Sequence, residues 1–233
     1  RFTGGKLSVK VSETGTSYYN VFVDGKLHKV VKVCGTDTLI HLVSGIDKRI
    51  HSLKIQKRSE GEFGKTTVHQ FVLSGSGRLA EEPAVRTRHI EFIGNSLTCG
   101  YGTDGKHRDE PFLVETENCN LTFASMVARY YDADYTLIAH SGRGAARNYG
   151  DSVRVSKVTM KDRMLNTFDE DLTHKWNFKE YRPDLVVINL GSNDFSTEPH
   201  PYKSEFTKAY KQILAQLREH YGDIPILCIY PVA

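Results

Sequence analysis

The chain changes its hydrophobic period near residue 80, and that switch constrains the fold more than any other feature. Up to about Leu79, apolar and polar residues alternate over short runs. Leu7-Ser-Val-Lys-Val11, Leu39-Ile-His-Leu-Val43, His51-Ser-Leu-Lys-Ile55 and Thr67 to Leu73 each have the length of a strand. Asp24-Gly25 stands between the runs Tyr19 to Val23 and Leu27 to Val33, and the pair suits the two positive-φ positions of a type I′ hairpin turn. Repeated strands without helical spacing predict an all-β antiparallel sandwich or barrel over residues 1–80. Residues 81–88 read as a linker.

Beyond the linker the pattern alternates. His89-Ile-Glu-Phe-Ile93, Tyr135-Thr-Leu-Ile-Ala139, Leu185 to Leu190 and Ile224 to Ile229 read as strands. Ala124, Val127, Ala128 and Tyr131 recur at helical spacing, and so do Phe206, Tyr210, Ile213, Leu214, Leu217 and Tyr221. Strands alternating with helices predict right-handed βαβ units and a three-layer α/β domain with a parallel sheet over residues 89–233. In such sheets the chemistry collects at the carboxyl ends of the strands.

Composition excludes several classes. The apolar runs fall far short of the roughly 18 residues of a transmembrane helix, so no membrane partner is expected. A net charge of +3 is too small to point to nucleic acid. That charge is uneven: residues 1–80 hold 13 Lys and Arg against 6 Asp and Glu. These cations are spaced through alternating segments, as on the solvated faces of strands. Cys34, Cys99, Cys119 and Cys228 form no Cys-x-x-Cys pair, and no His, Cys, Asp or Glu spacing resembles a metal site. Gly100-Tyr-Gly102-Thr-Asp-Gly105 matches a dinucleotide fingerprint to the letter, but its glycines lead into a charged loop and not from a strand into a helix. No cofactor and no metal are expected.

Three predicted strand ends carry polar residues of one kind: Gly94-Asn95-Ser96-Leu97, Ser141-Gly142-Arg143-Gly144 and Gly191-Ser192-Asn193-Asp194. A Ser just past a strand can present its Oγ with a backbone N–H behind it. A Gly allows another backbone N–H to approach a substrate closely, and an Asn can donate from its amide. Three such donors around one point would form an oxyanion hole, often the largest contribution to acyl-transfer catalysis. Each residue alone is also a common turn former. Their recurrence at successive strand ends is what suggests a site.

These blocks, in this order, resemble the GDSL (SGNH) hydrolases. With the preceding β-domain and the insertion from Thr159 to Trp176, the whole chain is similar to carbohydrate esterase family two, a jelly-roll domain fused to a flavodoxin-like SGNH domain. The resemblance implies a serine esterase that removes O-acetyl groups from plant polysaccharides such as xylan and glucomannan. It implies Ser96 as nucleophile, with Gly142 and Asn193 in the oxyanion hole. It also implies a secreted, extracellular or periplasmic protein whose partner is its acetylated polysaccharide.

Two departures stand out. Asn95 replaces the family's usual Asp, a change expected to weaken local hydrogen bonding and not the mechanism. The general-base His, which the family supplies in a block well beyond the third, is not found. His140, His174, His200 and His220 are not assigned to that role. The chain opens without an initiator Met or an apolar leader and stops just after a strand. It is therefore expected to be a trimmed product, with a C-terminal portion carrying the His removed or supplied by a second chain. The missing base keeps open a carbohydrate-binding protein without catalysis, and the superfamily keeps open a lipid esterase.

Overall fold

The computed structural model describes residues 1–82, 84–168 and 170–230. Pro83 of the expected linker and the terminal Pro231, Val232 and Ala233 lie outside the described residues. The chain forms two compact units. One comprises Arg1–Val85 with Asp104–Glu117, the other Arg86–Thr103 with Asn118–Ala233.

The first unit is all-β in its strands: β1 (Phe2–Thr3), β2 (Lys6–Glu13), β3 (Thr16–Val23), β4 (Lys26–Cys34), β5 (Thr38–Val43), β6 (Ile50–His51), β7 (Leu53–Lys57), β8 (Thr66–Ser74) and β9 (Arg78–Leu79). They pair antiparallel in three-stranded sheets ordered β5-β2-β8, β4-β3-β7 and β6-β1-β9. Leu7, Val9 and Val11 of one sheet share a core with Val21 and Val33 of another, which makes the unit a sandwich. Each such side chain, fully buried, contributes about 1.5–3 kcal/mol. Asp24 and Gly25 both adopt positive φ, 50° and 77°, as the β3–β4 turn requires. The Asp24 carboxylate also accepts from the Ser52 N–H at 2.8 Å and the His51 ring at 2.7 Å, which ties the turn to β6 and the residue after it.

Asp104–Glu117 leaves the α/β part of the sequence and packs within the β unit. Arg58 pins it there. Only 2% exposed, Arg58 donates from Nε to the Glu117 carbonyl at 2.7 Å, and from Nη2 to the Glu115 carbonyl at 3.0 Å and to the Asp104 carboxylate.

The second unit contains β10 (His89–Gly94), α1 (Ser96–Cys99), α2 (Phe123–Tyr130), β11 (Asp134–Ala139), α3 (Met160–Arg163), the hairpin strands β12 (Asn166–Phe168) and β13 (Asp171–Lys175), then β14 (Leu185–Ile188), α4 (Lys203–Tyr221) and β15 (Ile226–Cys228). The sheet order is β11-β10-β14-β15, all parallel. Alternate residues face opposite layers. Ile93, Val186 and Ile188 pack with Ile213, Leu217 and Tyr221 of α4, whereas Ile90, Phe92 and Val187 pack with Ala124 and Ala128 of α2. Three layers result, with the parallel sheet in the middle. On α2 the inward residues are Ala124, Ser125 and Ala128, while Val127 and Tyr131, expected inside from their spacing, are exposed. Small side chains let the helix lie close on the sheet. No helix among the described residues is long and apolar enough to cross a membrane.

Candidate active site

The sheet register brings the three polar blocks to one end of the sheet, and two of them, those of Ser96 and Asn193, onto one cavity whose described lining does not include Gly142. Gly94 is level with Ala139, and Ile93 with Ile188. Because β11, β10 and β14 are parallel neighbours, the loops that follow them emerge at one end of the sheet. Ser96, Asn193 and Ser192 line one cavity of about 810 Å³, with Leu97, Tyr149, Gly191, Phe195 and Tyr230 among its walls.

The first loop is held by its own cap. Asn95 is fully buried and accepts from the Leu97 N–H at 3.2 Å, which starts the single turn of α1 at Ser96. Its Nδ2 donates to Ser192 Oγ at 2.9 Å. Asn95 therefore makes two side-chain hydrogen bonds, where a weakened local network was expected of this residue. Gly94 sits so close to Thr98 that a Cβ there would collide with its side chain. Gly100 closes the turn in the left-handed region at φ 87°.

The second loop turns at Gly142, φ 74°, a conformation that strains other residues. Its carbonyl accepts from the Tyr149 N–H at 2.8 Å, and its own N–H meets no protein acceptor among the described residues. The third loop reaches across to it. Asn193, 8% exposed, donates from Nδ2 to the Arg143 carbonyl at 2.8 Å. That bond uses one of the two amide hydrogens and fixes the direction of the other.

Residues 1–83 match the carbohydrate esterase 2 N-terminal family, and residues 92–233 match the GDSL-like Lipase/Acylhydrolase family. A family two carbohydrate esterase from Clostridium thermocellum, solved in complex with cellohexaose, is 35% identical and superposes with a TM-score of 0.92, covering 99% of this chain and 69% of that one. The chain belongs to carbohydrate esterase family two. The cellulase/esterase CelE of Acetivibrio thermocellus is 36% identical over 97% of this chain. An acetylxylan esterase / glucomannan deacetylase of Cellvibrio japonicus is 32% identical over 84% of it. The chain spans 27% of the length of the first and 53% of the second.

In this family two chain the four histidines considered from sequence are placed elsewhere. His140, 1% exposed, sits past the end of β11 with Nδ1 3.7 Å from Glu170 Oε1. His174 bonds Asp171 at 2.5 Å, and His200 stands 3.4 Å from Glu198 Oε1. His220 stacks flat on Phe178 with ring centroids 3.8 Å apart. Among the described residues that line the Ser96 cavity there is no histidine.

Sequence reading passed over Asp194. This carboxylate is fully buried and accepts from the N–H groups of Ala145, Ala146 and Arg147 at 3.0, 2.6 and 2.9 Å. Burial pushes its carboxyl above the usual range, against the pull of those amides. The available signal was Gly144: a Cβ there would collide with the Asp194 carboxylate and the Arg147 carbonyl.

Proposed function

We propose that the protein is a serine esterase that removes O-acetyl groups from plant polysaccharide, xylan or glucomannan, through an acyl-enzyme. The observation that carries this reading is the meeting of Ser96 and Asn193 on the wall of one cavity, delivered by adjacent parallel strands. Membership of a family with acetylxylan esterase and glucomannan deacetylase relatives supports the substrate class. Tyr149, Phe195 and Tyr230 add exposed aromatic faces to the same cavity, suited to the C–H faces of sugar rings.

Ser96 Oγ attacks the acetyl carbonyl carbon and gives up its proton, which the departing sugar oxygen receives on collapse, while the carbonyl oxygen takes the negative charge. The N–H groups of Ser96 and Gly142 and the second amide hydrogen of Asn193 receive that oxygen. Collapse expels the sugar hydroxyl and leaves acetyl-Ser96, and water then releases acetate through the same hole. Such a polymeric substrate calls for an enzyme that works outside the cell or in the periplasm.

Acetate release from acetylated xylan and acetylated glucomannan tests the reading, beside a chain-length series of nitrophenyl esters and Ser96→Ala as the blank. Activity confined to acetyl esters and lost in the blank is expected. A preference for long acyl chains would instead make it a lipid esterase. Polysaccharide binding without acetate release would make it a binding protein.

A further inference from the structure

We infer that Asp194 is the positioning residue of the oxyanion hole: its buried carboxylate sets the loop that carries Gly142, and does so from the position next to Asn193. This rests on the proposed roles of Gly142 and Asn193. Three consecutive main-chain amides converge on one carboxylate, Ala146 and Arg147 on Oδ1 and Ala145 on Oδ2. Successive N–H groups turned inward make a nest, a fixed concavity for an anion. Here the anion is supplied by the protein.

The neighbouring side chain grips the same loop from its other pole. Asn193 takes the Arg143 carbonyl, so residues 143–147 are held by acceptor and donor from two adjacent residues. The Gly144 backbone passes between these two grips, with no room for a Cβ. Asn148 Oδ1 accepts from the Gly144 N–H at 3.4 Å, and the Arg147 guanidinium returns to Thr197 Oγ1 at 2.9 Å and the Glu198 carbonyl at 3.3 Å. The loops after β11 and β14 are thus laced together around Asp194.

A carboxylate without solvent is costly to bury, and apolar packing would hold a loop at less expense. What the carboxylate supplies is direction. With the loop locked from below, the Gly142 N–H and the Asn193 amide keep a fixed mutual angle, which an oxyanion hole needs to act without reorganising.

The test is a double-mutant cycle in the full-length protein as its gene encodes it, assayed on nitrophenyl acetate. Asp194→Asn is isosteric but turns an amide donor toward an N–H group. It should lower kcat on the order of 10- to 10²-fold, less than or equal to the loss of one oxyanion donor, with KM within about threefold. Combined with Asn193→Ala, which removes the donor that the clamp aligns, the losses should be strongly non-additive. Full additivity, or wild-type kcat in folded Asp194→Asn, would overturn the inference. If Asp194→Asn does not fold, Asp194→Ser replaces it in the same cycle, and failure of both to fold shows a purely structural residue and also overturns it. Ser96→Ala, run alongside, separates the two levels: activity surviving there refutes the site itself, whereas its loss leaves the cycle to judge Asp194.

Discussion

Asn95 donates from its amide to Ser192 Oγ at 2.9 Å, and each of the two stands immediately before a proposed catalytic side chain. The bond fastens the loop after β10 to the loop after β14, so the separation of Ser96 from Asn193 depends on it. Asn95 also caps α1 through its Oδ1. Asn95→Ala removes both contacts and should cost about 0.5–2 kcal/mol of stability from the cap alone, with a clear fall in kcat. Asn95→Asp keeps an acceptor for the cap and lets the Ser192 hydroxyl reverse its role and donate. Near wild-type melting temperature and turnover are therefore expected of it. Thermal melts and acetyl-ester kinetics on both variants check the pair, and equal damage from the two would show that the bridge is not what matters.

Ser96→Ala should abolish acetate release while leaving the melting temperature nearly unchanged. Ser96 is only half buried, at the first position of a short turn whose cap is a different residue. Residual turnover near wild type would remove Ser96 from the mechanism.

Asn193→Ala should lower kcat on the order of 10²–10³-fold, the usual cost of one oxyanion donor. An effect on KM alone would assign Asn193 to substrate binding. Because Asn193 also holds the Arg143 carbonyl, a small fall in stability should accompany the kinetic loss.

The sequence made some parts of the molecule legible because their residue types carry a local signature. Asp24-Gly25 marks a turn since both positions need positive φ, and Leu185 to Ile188 marks a buried strand by its unbroken apolar run. The blocks at Ser96, Gly142 and Asn193 were visible as small polar residues after strands. Asp194 was not, because its partners are main-chain amides some 50 positions away, and an amide has no residue identity. On α2 the helical spacing picked out Ala124, Val127, Ala128 and Tyr131 alike, whereas close packing on the sheet selects the small residues Ala124 and Ala128 and leaves Val127 and Tyr131 exposed. The attachment of Asp104–Glu117 to the β unit depends on the burial of one arginine, Arg58, which no periodicity announces.

A buried pair of carboxyls makes the stability of the β unit depend on pH. Glu117 is fully buried, accepts from the Glu60 N–H at 2.8 Å, and faces a second buried carboxyl in Glu60 itself. Burial, and after it the charge of Glu60, pushes the Glu117 carboxyl from 4.5 up to about 9. A raised carboxyl keeps its proton in the fold and loses it in the unfolded chain. Between pH 4.5 and 9 the folded state therefore binds more protons, and stability must fall as pH rises through that window. Glu117→Gln holds a neutral side chain at every pH and retains an acceptor for the Glu60 N–H. Its melting temperature should match the parent near pH 5 and exceed it by a margin that widens toward pH 9. Because the remaining titrating groups are common to both proteins, the difference between the two melting curves reports Glu117 together with its coupling to Glu60. Parallel curves across the window would mean that Glu117 is ionised in the fold, and that the Glu60–Glu117 pair is held together by something other than a retained proton.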